Sequence, residues 1–331
     1  MNTPGKHASI CIPAHNEERS IARTLDSVRE AIPPLRDWRA DIYVLANACS
    51  DGTVQATCEW AEANGLSCRH LNMDAEDASS TACGPGDAAP DVLVLETRVA
   101  GKPNAVNRLH ALAAGDPLIF IDADVSIHPD AFRHLLAAME EHPSARAACG
   151  IALAPSRFSF NPLFIRMSMK MKEFASKPVP YVNGPLYAIR KGLPEKIPEE
   201  LIGEDVFLGM SLGVENLVKV SAAVAYQTPP STYGDYFKRQ VRNRLSDLQM
   251  KKLFGKRYAD FRRDTRDPRS KSERLRCLSA WERILRVAFF PQTWAIKVLD
   301  KLAKKKAERM FAEGDVRWIT IDSTKANPPR Q

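Results

Sequence analysis

Short apolar runs and segments of helical periodicity alternate through the first 122 residues. This alternation limits the fold more than any other feature of the sequence. ASICIP (8–13) is a β run that stops at Pro13. EERSIARTLDSVREAI (17–32) carries Ile21, Leu25, Val28 and Ile32 at helical spacing and is closed by a Pro-Pro pair. DIYVLA (41–46), VLVLET (92–97) and PLIFID (117–122) read as further strands. SDGTVQATCEWAEANG (50–65) and KPNAVNRLHALAAG (102–115) read as helices, the first with Gly65 as its C-terminal stop. Strand and helix in strict turn predict an α/β fold with a mostly parallel sheet wrapped by helices. Such sheets bind ligands beyond the carboxyl ends of their strands. The polar groups His15-Asn16-Glu17, Asn47 to Asp51 and Asp122-Ala123-Asp124 all fall there. The acidic, small-residue-rich stretch 72–91 has no periodicity and reads as a surface loop.

Composition is that of an ordinary globular protein, 44% hydrophobic and 26% charged. The net charge of +7 is compatible with nucleic acid, an anionic membrane or a phosphate-bearing substrate. The basic excess sits late, in 237–277 and again in 297–310. Composition turns basic and helical from Tyr233, so a unit of about 1–230 followed by a basic region over 231–331 is expected. Seven cysteines, an odd number without CxxC spacing, argue against a disulfide framework or a zinc site and for a reducing compartment. The N-terminus lacks an apolar signal core, and no run approaches the ~20 apolar residues that span a bilayer. A cytoplasmic protein is expected, with peripheral contact at the inner membrane face left open.

Five short constellations carry chemistry, and each has a plainer alternative. In PAHNE, Pro13 ends the first strand and Asn16 and Glu17 supply polar groups at the sheet's carboxyl edge, although Asn16 or Glu17 would also serve as a helix cap. Asp51 of SDGT is either an N-cap or an acceptor for a base NH or a ribose hydroxyl. Lys102, after Gly101 at a helix start, is either a solvated lysine or a point charge for phosphate. Asp122 and Asp124 end an apolar strand, where a hard cation such as Mg²⁺ or Mn²⁺ would offset charge that is costly to bury. The alternative is two solvated loop aspartates. Glu204 and Asp205 lie between apolar residues, where burial raises a carboxylate's pKa and suits a general base; a helix N-terminal acidic pair is the alternative.

The order of these motifs is more informative than any one of them. PxxNE, SDGT, GK-x2-A-x-N, hhhhDAD, NG-x5-R and GED follow one another over about residues 8–245. The series resembles glycosyltransferase family 2, inverting nucleotide-sugar enzymes of the GT-A fold. The resemblance implies a nucleotide-sugar half over about 1–125 and an acceptor half over about 126–230. It implies that Pro13, His15, Glu17, Asn47, Asp51, Lys102 and Asp122 line the nucleotide-sugar pocket. Asp122 and Asp124 would form the metal-binding DxD for Mn²⁺ or Mg²⁺, with Asp124 the direct ligand. Asp205 of the Glu204-Asp205 pair would be the base that deprotonates a hydroxyl acceptor. UDP is favoured as the nucleotide through the resemblance alone.

Three departures refine that expectation. Ala46-Asn47 stands where the family often carries an aspartate pair. Gln240 to Leu245 lacks the Trp of a processive QxxRW motif, so transfer of a single sugar is expected, with Arg242 and Arg244 as clamps on the diphosphate. Every histidine lies at or before His142, so phosphate and water must complete a metal shell. In the basic C-terminal region Trp281, Phe289, Phe290 and Trp294 alternate with Arg and Lys. That mixture suits either a helix packed on the catalytic unit or one resting on anionic lipid, the latter useful for a lipid-linked acceptor. No nucleic-acid module accompanies the charge. Two rivals remain: a haloacid-dehalogenase-type phosphatase with Asp122 as nucleophile, and an inactive nucleotide-binding scaffold.

Overall fold

The computed structural model describes residues 6–35, 37–75, 90–156, 159, 161–317, 319 and 321. Most of the acidic stretch 72–91 therefore lies outside the described residues. The strands are β1 (Lys6–Ala14), β2 (Trp38–Asn47), β3 (Cys68–Asn72), β4 (Val92–Thr97), β5 (Leu118–Ile121), β6 (Val125–Ile127), β7 (Ala147–Leu153), β8 (Leu186–Ile189) and β9 (Leu217–Gln227). They form one sheet in the order β3-β4-β2-β1-β5-β8-β7-β9-β6. β1, β2, β3, β4 and β5 pair in parallel; β8 then runs antiparallel to both β5 and β7, and β6 antiparallel to β9.

The helices α1 (Ile21–Ala31), α2 (Thr53–Ala63) and α3 (Lys102–Leu112) fall where the periodicity predicts them. α4 (Ala131–Glu141), α5 (Pro162–Ala175) and α6 (Glu204–Leu212) follow, then α7 (Tyr233–Asp264), α8 (Lys271–Arg274), α9 (Ala280–Ala288) and α10 (Phe290–Ala312). Successive side chains of a strand point to opposite faces, and both faces of this sheet are covered. Ile10, Ile12, Val44, Ile119 and Ile121 enter one core with α1, α2 and α4. Cys11, Tyr43, Leu45, Leu118 and Phe120 enter the other with α3, α6 and α7. This double burial explains why the strands read as nearly continuous apolar runs. Each large side chain so buried contributes about 1.5–3 kcal/mol.

α10 settles on the rest of the chain through Ala303, Ala307 and Met310 against Val241 and Leu245 of α7. Ile296 joins Leu163 and Met167 of α5 and Tyr236 of α7, whose hydroxyl donates to Asp300 at 2.6 Å. For α10, packing on α5 and α7 is thus the observed arrangement. Among the described residues, no helix is long and apolar enough to cross a membrane.

Candidate active site

The carboxyl ends of β1, β2 and β5 open into a cleft of about 850 Å³. His15, just past β1, donates from Nδ1 to the Asn47 carbonyl at the end of β2, 2.7 Å away. A carbonyl can only accept, so this contact puts a proton on Nδ1. Asn16 is in the left-handed region (φ 55°), and its Oδ1 accepts from the Ser50 backbone at 2.7 Å. Asn16 and the left-handed Ala48 (φ 48°) turn the chain sharply where it leaves β1 and β2. Glu17 supports the start of α1: its carbonyl accepts from Ile21, and its buried carboxylate accepts from the Ser20 hydroxyl.

Asp51 lies outside the residues lining the cleft. Its Oδ1 accepts from the Thr53 backbone at 3.1 Å and its Oδ2 from the Glu18 backbone at 3.1 Å, contacts that start α2 and tie it to α1. Asn47 does line the cleft, at 4% exposure, and its Oδ1 has no hydrogen-bond partner among the described residues.

Asp122 immediately follows β5. Gly101, at φ 112°, adopts a conformation that side-chain-bearing residues rarely take, and it delivers Lys102 at the start of α3. Lys102 Nζ lies 2.6 Å from Asp122 Oδ1 and 2.7 Å from Glu204 Oε1. Burial alone would lower the Lys102 pKa, but Asp122 and Glu204 together hold it well above the usual lysine value. β8 runs antiparallel to β5, with Leu186 opposite Ile121, so the turn Asn183-Gly184-Pro185 that precedes β8 sits beside Asp122. A Cβ on Gly184 would lie 3.5 Å from Asp205 Oδ2, 3.5 Å from Lys102 Nζ and 3.8 Å from Asp122 Oδ2. The missing side chain leaves a gap into which all three groups point.

Glu204 and Asp205 occupy the first turn of α6 but differ in state. Glu204 is paired with Lys102, whereas no ion pair joins Asp205 among the described residues. Asp205 Oδ1 accepts from the Val206 backbone at 2.8 Å. Burial first, and then the neighbouring Glu204 charge, push the Asp205 carboxyl up to about 6 against the pull of Lys102. A carboxylate of that basicity can take a proton near neutral pH.

The opposite wall is α7. Arg239 and Arg242, three apart, share one helical face, while Arg244 is exposed and leaves the helix on a different side. All three line the cleft. Burial lowers the Arg239 and Arg242 pKa values; Asp124 opposes this at Arg239, and Glu204, Asp122 and Asp124 oppose it at Arg242. Arg239 was not evident from the sequence, although its spacing from Arg242 on a helix beginning at Tyr233 was a usable signal. Met167, Lys170, Met171 and Phe174 of α5 add a largely apolar flank. Arg190 of NG-x5-R points elsewhere, donating to the Ala145 and Met139 carbonyls at 3.0 and 2.8 Å.

The cleft therefore joins Pro13, His15, Glu17, Asn47, Lys102, Asp122, Asp124, Glu204, Asp205, Arg242 and Arg244, with Asp51 set apart. Two carboxylates at a strand end, a third of raised basicity and facing arginines suit a polyanionic substrate and proton abstraction from a neutral one.

Comparison with known proteins bears on this site. The model of glycosyl transferase family 2 matches residues 86–192. No curated protein matches the chain. Among solved structures, the chain is similar to the mannosyltransferase PcManGT from Pyrobaculum calidifontis, in complex with GDP-Man and Mn²⁺. It is 18% identical, with a TM-score of 0.53, covering 96% of this chain and 77% of that one. It also matches Staphylococcus aureus TarS 1-349 in complex with UDP, at 14% identity and TM-score 0.47 over 96% and 95% of the two chains. Glucosyl-3-phosphoglycerate synthase from Mycobacterium tuberculosis, in complex with phosphoglyceric acid, matches at 19% identity and TM-score 0.45 over 75% and 80%. Residues 86–192 are thus similar to glycosyl transferase family 2, and the chain shares the GT-A fold of that mannosyltransferase.

Proposed function

We propose that the protein transfers one sugar from a nucleoside-diphosphate sugar to a hydroxyl acceptor, with inversion and with a divalent cation. The observation that carries this reading is the meeting of Asp122, Asp205 and Lys102 around the Gly184 gap, at the end of the strand that leads to Asp124. The donor set fits Mn²⁺ or Mg²⁺. Asp122 and Asp124 offer hard carboxylate oxygens, and no group of three or more His, Cys, Asp or Glu side chains suited to a metal occurs among the described residues. Such ions take one or two carboxylates and leave the remaining positions to phosphate and water. When bound, the cation supplies positive charge to the departing diphosphate.

The protein's own groups have separable tasks. Asp124 and Asp122 hold the cation. Lys102 holds Asp122 and Glu204 in place through its ion pairs to both. Arg239 and Arg242 present guanidinium groups to the diphosphate. Asn47 Oδ1 accepts from a nucleobase NH, and His15 holds the ends of β1 and β2 together beside it. Asp205 takes the proton from the acceptor hydroxyl as that oxygen attacks the anomeric carbon. No enzyme nucleophile is required, which is consistent with a single displacement.

The test is release of nucleoside diphosphate from a panel of UDP- and GDP-sugars with Mn²⁺, in wild type and Asp205→Asn. Turnover of one donor by wild type, lost in the variant while nucleotide binding persists, supports the assignment. Equal turnover in both proteins removes Asp205 as the base.

A further inference from the structure

α9 is mounted on the protein in an unusual sense. Helices on globular proteins normally turn their apolar side inward. Here Trp281, Ile284 and Val287 are 65%, 57% and 75% exposed, and no residue of α9 is buried. The polar side of α9 faces α5 instead. Lys172 Nζ contacts both Glu282 oxygens, at 3.0 and 3.2 Å, and Arg286 pairs with Glu173. The helix is well formed, because Ser279 and Glu282 make a reciprocal capping box at its start. An ordered helix with its apolar side outward needs a cover.

Charge identifies that cover. Residues 266–313 contain thirteen Lys and Arg against six Asp and Glu, a net +7 equal to that of the whole chain. On α10, which follows directly, Trp294, Lys297, Lys301 and Lys305 share one exposed face, opposite the buried Ile296, Ala303 and Ala307. Tryptophans interleaved with lysines match an interface that is apolar below and anionic above. A second copy of this chain would bring like charge against like charge.

We propose that α9 and the exposed face of α10 seat the protein on the surface of an anionic bilayer. α9 would dip Trp281, Ile284 and Val287 below the headgroups, and the α10 lysines would meet lipid phosphates. The consequence for acceptor choice rests on the transferase reading: α5 holds α9 through Lys172 and Glu173 and lines the cleft with Met167, Met171 and Phe174. With α5 lying between α9 and the cleft, a docked protein holds its cleft one helix away from the lipid, which suits an amphiphilic hydroxyl acceptor drawn from the bilayer.

Flotation of the full chain with vesicles tests this, using phosphatidylcholine alone and phosphatidylcholine with about one-third phosphatidylglycerol. Wild type is expected to float with the anionic vesicles only. Binding is expected to weaken as salt shortens the Debye length from about 10 Å at 0.1 M to about 3 Å at 1 M. Trp281→Ala/Ile284→Ser/Val287→Ser is expected to lower partition at least about tenfold, and Lys297→Glu/Lys301→Glu to lower it as well. Asp124→Ala should float like wild type, which separates failure of membrane docking from failure of the transferase reading. Absence of flotation by wild type, or equal flotation of wild type and the triple variant, overturns the proposal. A concentration-dependent dimer that the triple variant abolishes, without flotation, overturns it in favour of self-association.

Discussion

Asp205→Asn should slow turnover by orders of magnitude and, at neutral pH, make the protein more stable. The substitution keeps the shape of the side chain and an Oδ1 to accept the Val206 N–H, which donates at 2.8 Å in wild type. What it removes is a charge confined by burial and by Glu204, which push the carboxyl from 3.8 up to about 6. A rise from 3.8 to about 6 corresponds to about 3 kcal/mol between the protonation states. The sign follows from proton counting. Between pH 3.8 and about 6 the folded state keeps a proton that the unfolded state has released. Ionisation therefore costs nothing below about pH 4, and its full cost is present above about pH 6. Wild type loses stability as pH rises through that window, and asparagine does not titrate. The amide brings its own donors into the cleft, so a net gain of about 1–3 kcal/mol at pH 8 is expected. An unfolding entropy of about 2.1 cal/mol/K per residue converts this into about 1–4 °C of melting temperature for a chain of this length. Calorimetric melting in EDTA at pH 8 and pH 4, for wild type and variant, reads it directly. A variant that melts below wild type at pH 8, or that keeps the same advantage at pH 4, refutes the reasoning. Turnover is expected to fall by about 10²–10⁴, the usual contribution of a general base.

Other perturbations probe separate parts of the account. Arg239→Ala should weaken nucleoside-diphosphate binding by about 1.5–3 kcal/mol, since it removes a charge-assisted contact, whereas exposed Arg244→Ala should change it by under about 0.5 kcal/mol; titration calorimetry compares them. Gly184→Ala places its Cβ at ordinary contact distance from Asp205, Lys102 and Asp122 and should fold normally. Gly184→Val projects further atoms among those charges and should abolish turnover with little change in circular dichroism. Leu245→Ala empties a fully buried position between α7 and α10 and should cost about 2–5 kcal/mol in denaturant unfolding. Weakening α7 in this way should also loosen the arginine wall, read as a higher Kd for nucleotide.

The first half of the chain was legible because local pattern and tertiary role coincide there. β1, β2, β4 and β5 are apolar runs because both of their faces are covered, and α1 to α3 sit between them with recognisable stops. The DAD motif was readable for the same reason, since an apolar strand that ends in carboxylates requires a partner for their charge. β3 was missed because Cys68–Asn72 is a partly exposed edge strand without clean alternation. The approach of Gly184 to Asp122 depends on antiparallel pairing between β5 and β8, a long-range choice that no local spacing encodes. The Asp51 oxygens accept from the Thr53 and Glu18 backbones, and the second of these contacts links two segments whose approach no local spacing encodes. In the C-terminal region the amphipathic pattern was visible, but its direction was not. α10 turns its apolar side inward, while α9 turns its apolar side out because ion pairs to α5 hold its polar side.

The central claim is that Asp122 and Asp124 bind a cation that links them to a nucleoside diphosphate. Calorimetric titration of UDP and of GDP, with and without Mn²⁺, into wild type and Asp124→Ala tests it most directly. The expected result is binding of one nucleotide that requires Mn²⁺ and disappears in the variant. Equal binding without metal and in Asp124→Ala would contradict the claim and leave the cleft as a nucleotide site that owes nothing to the paired aspartates.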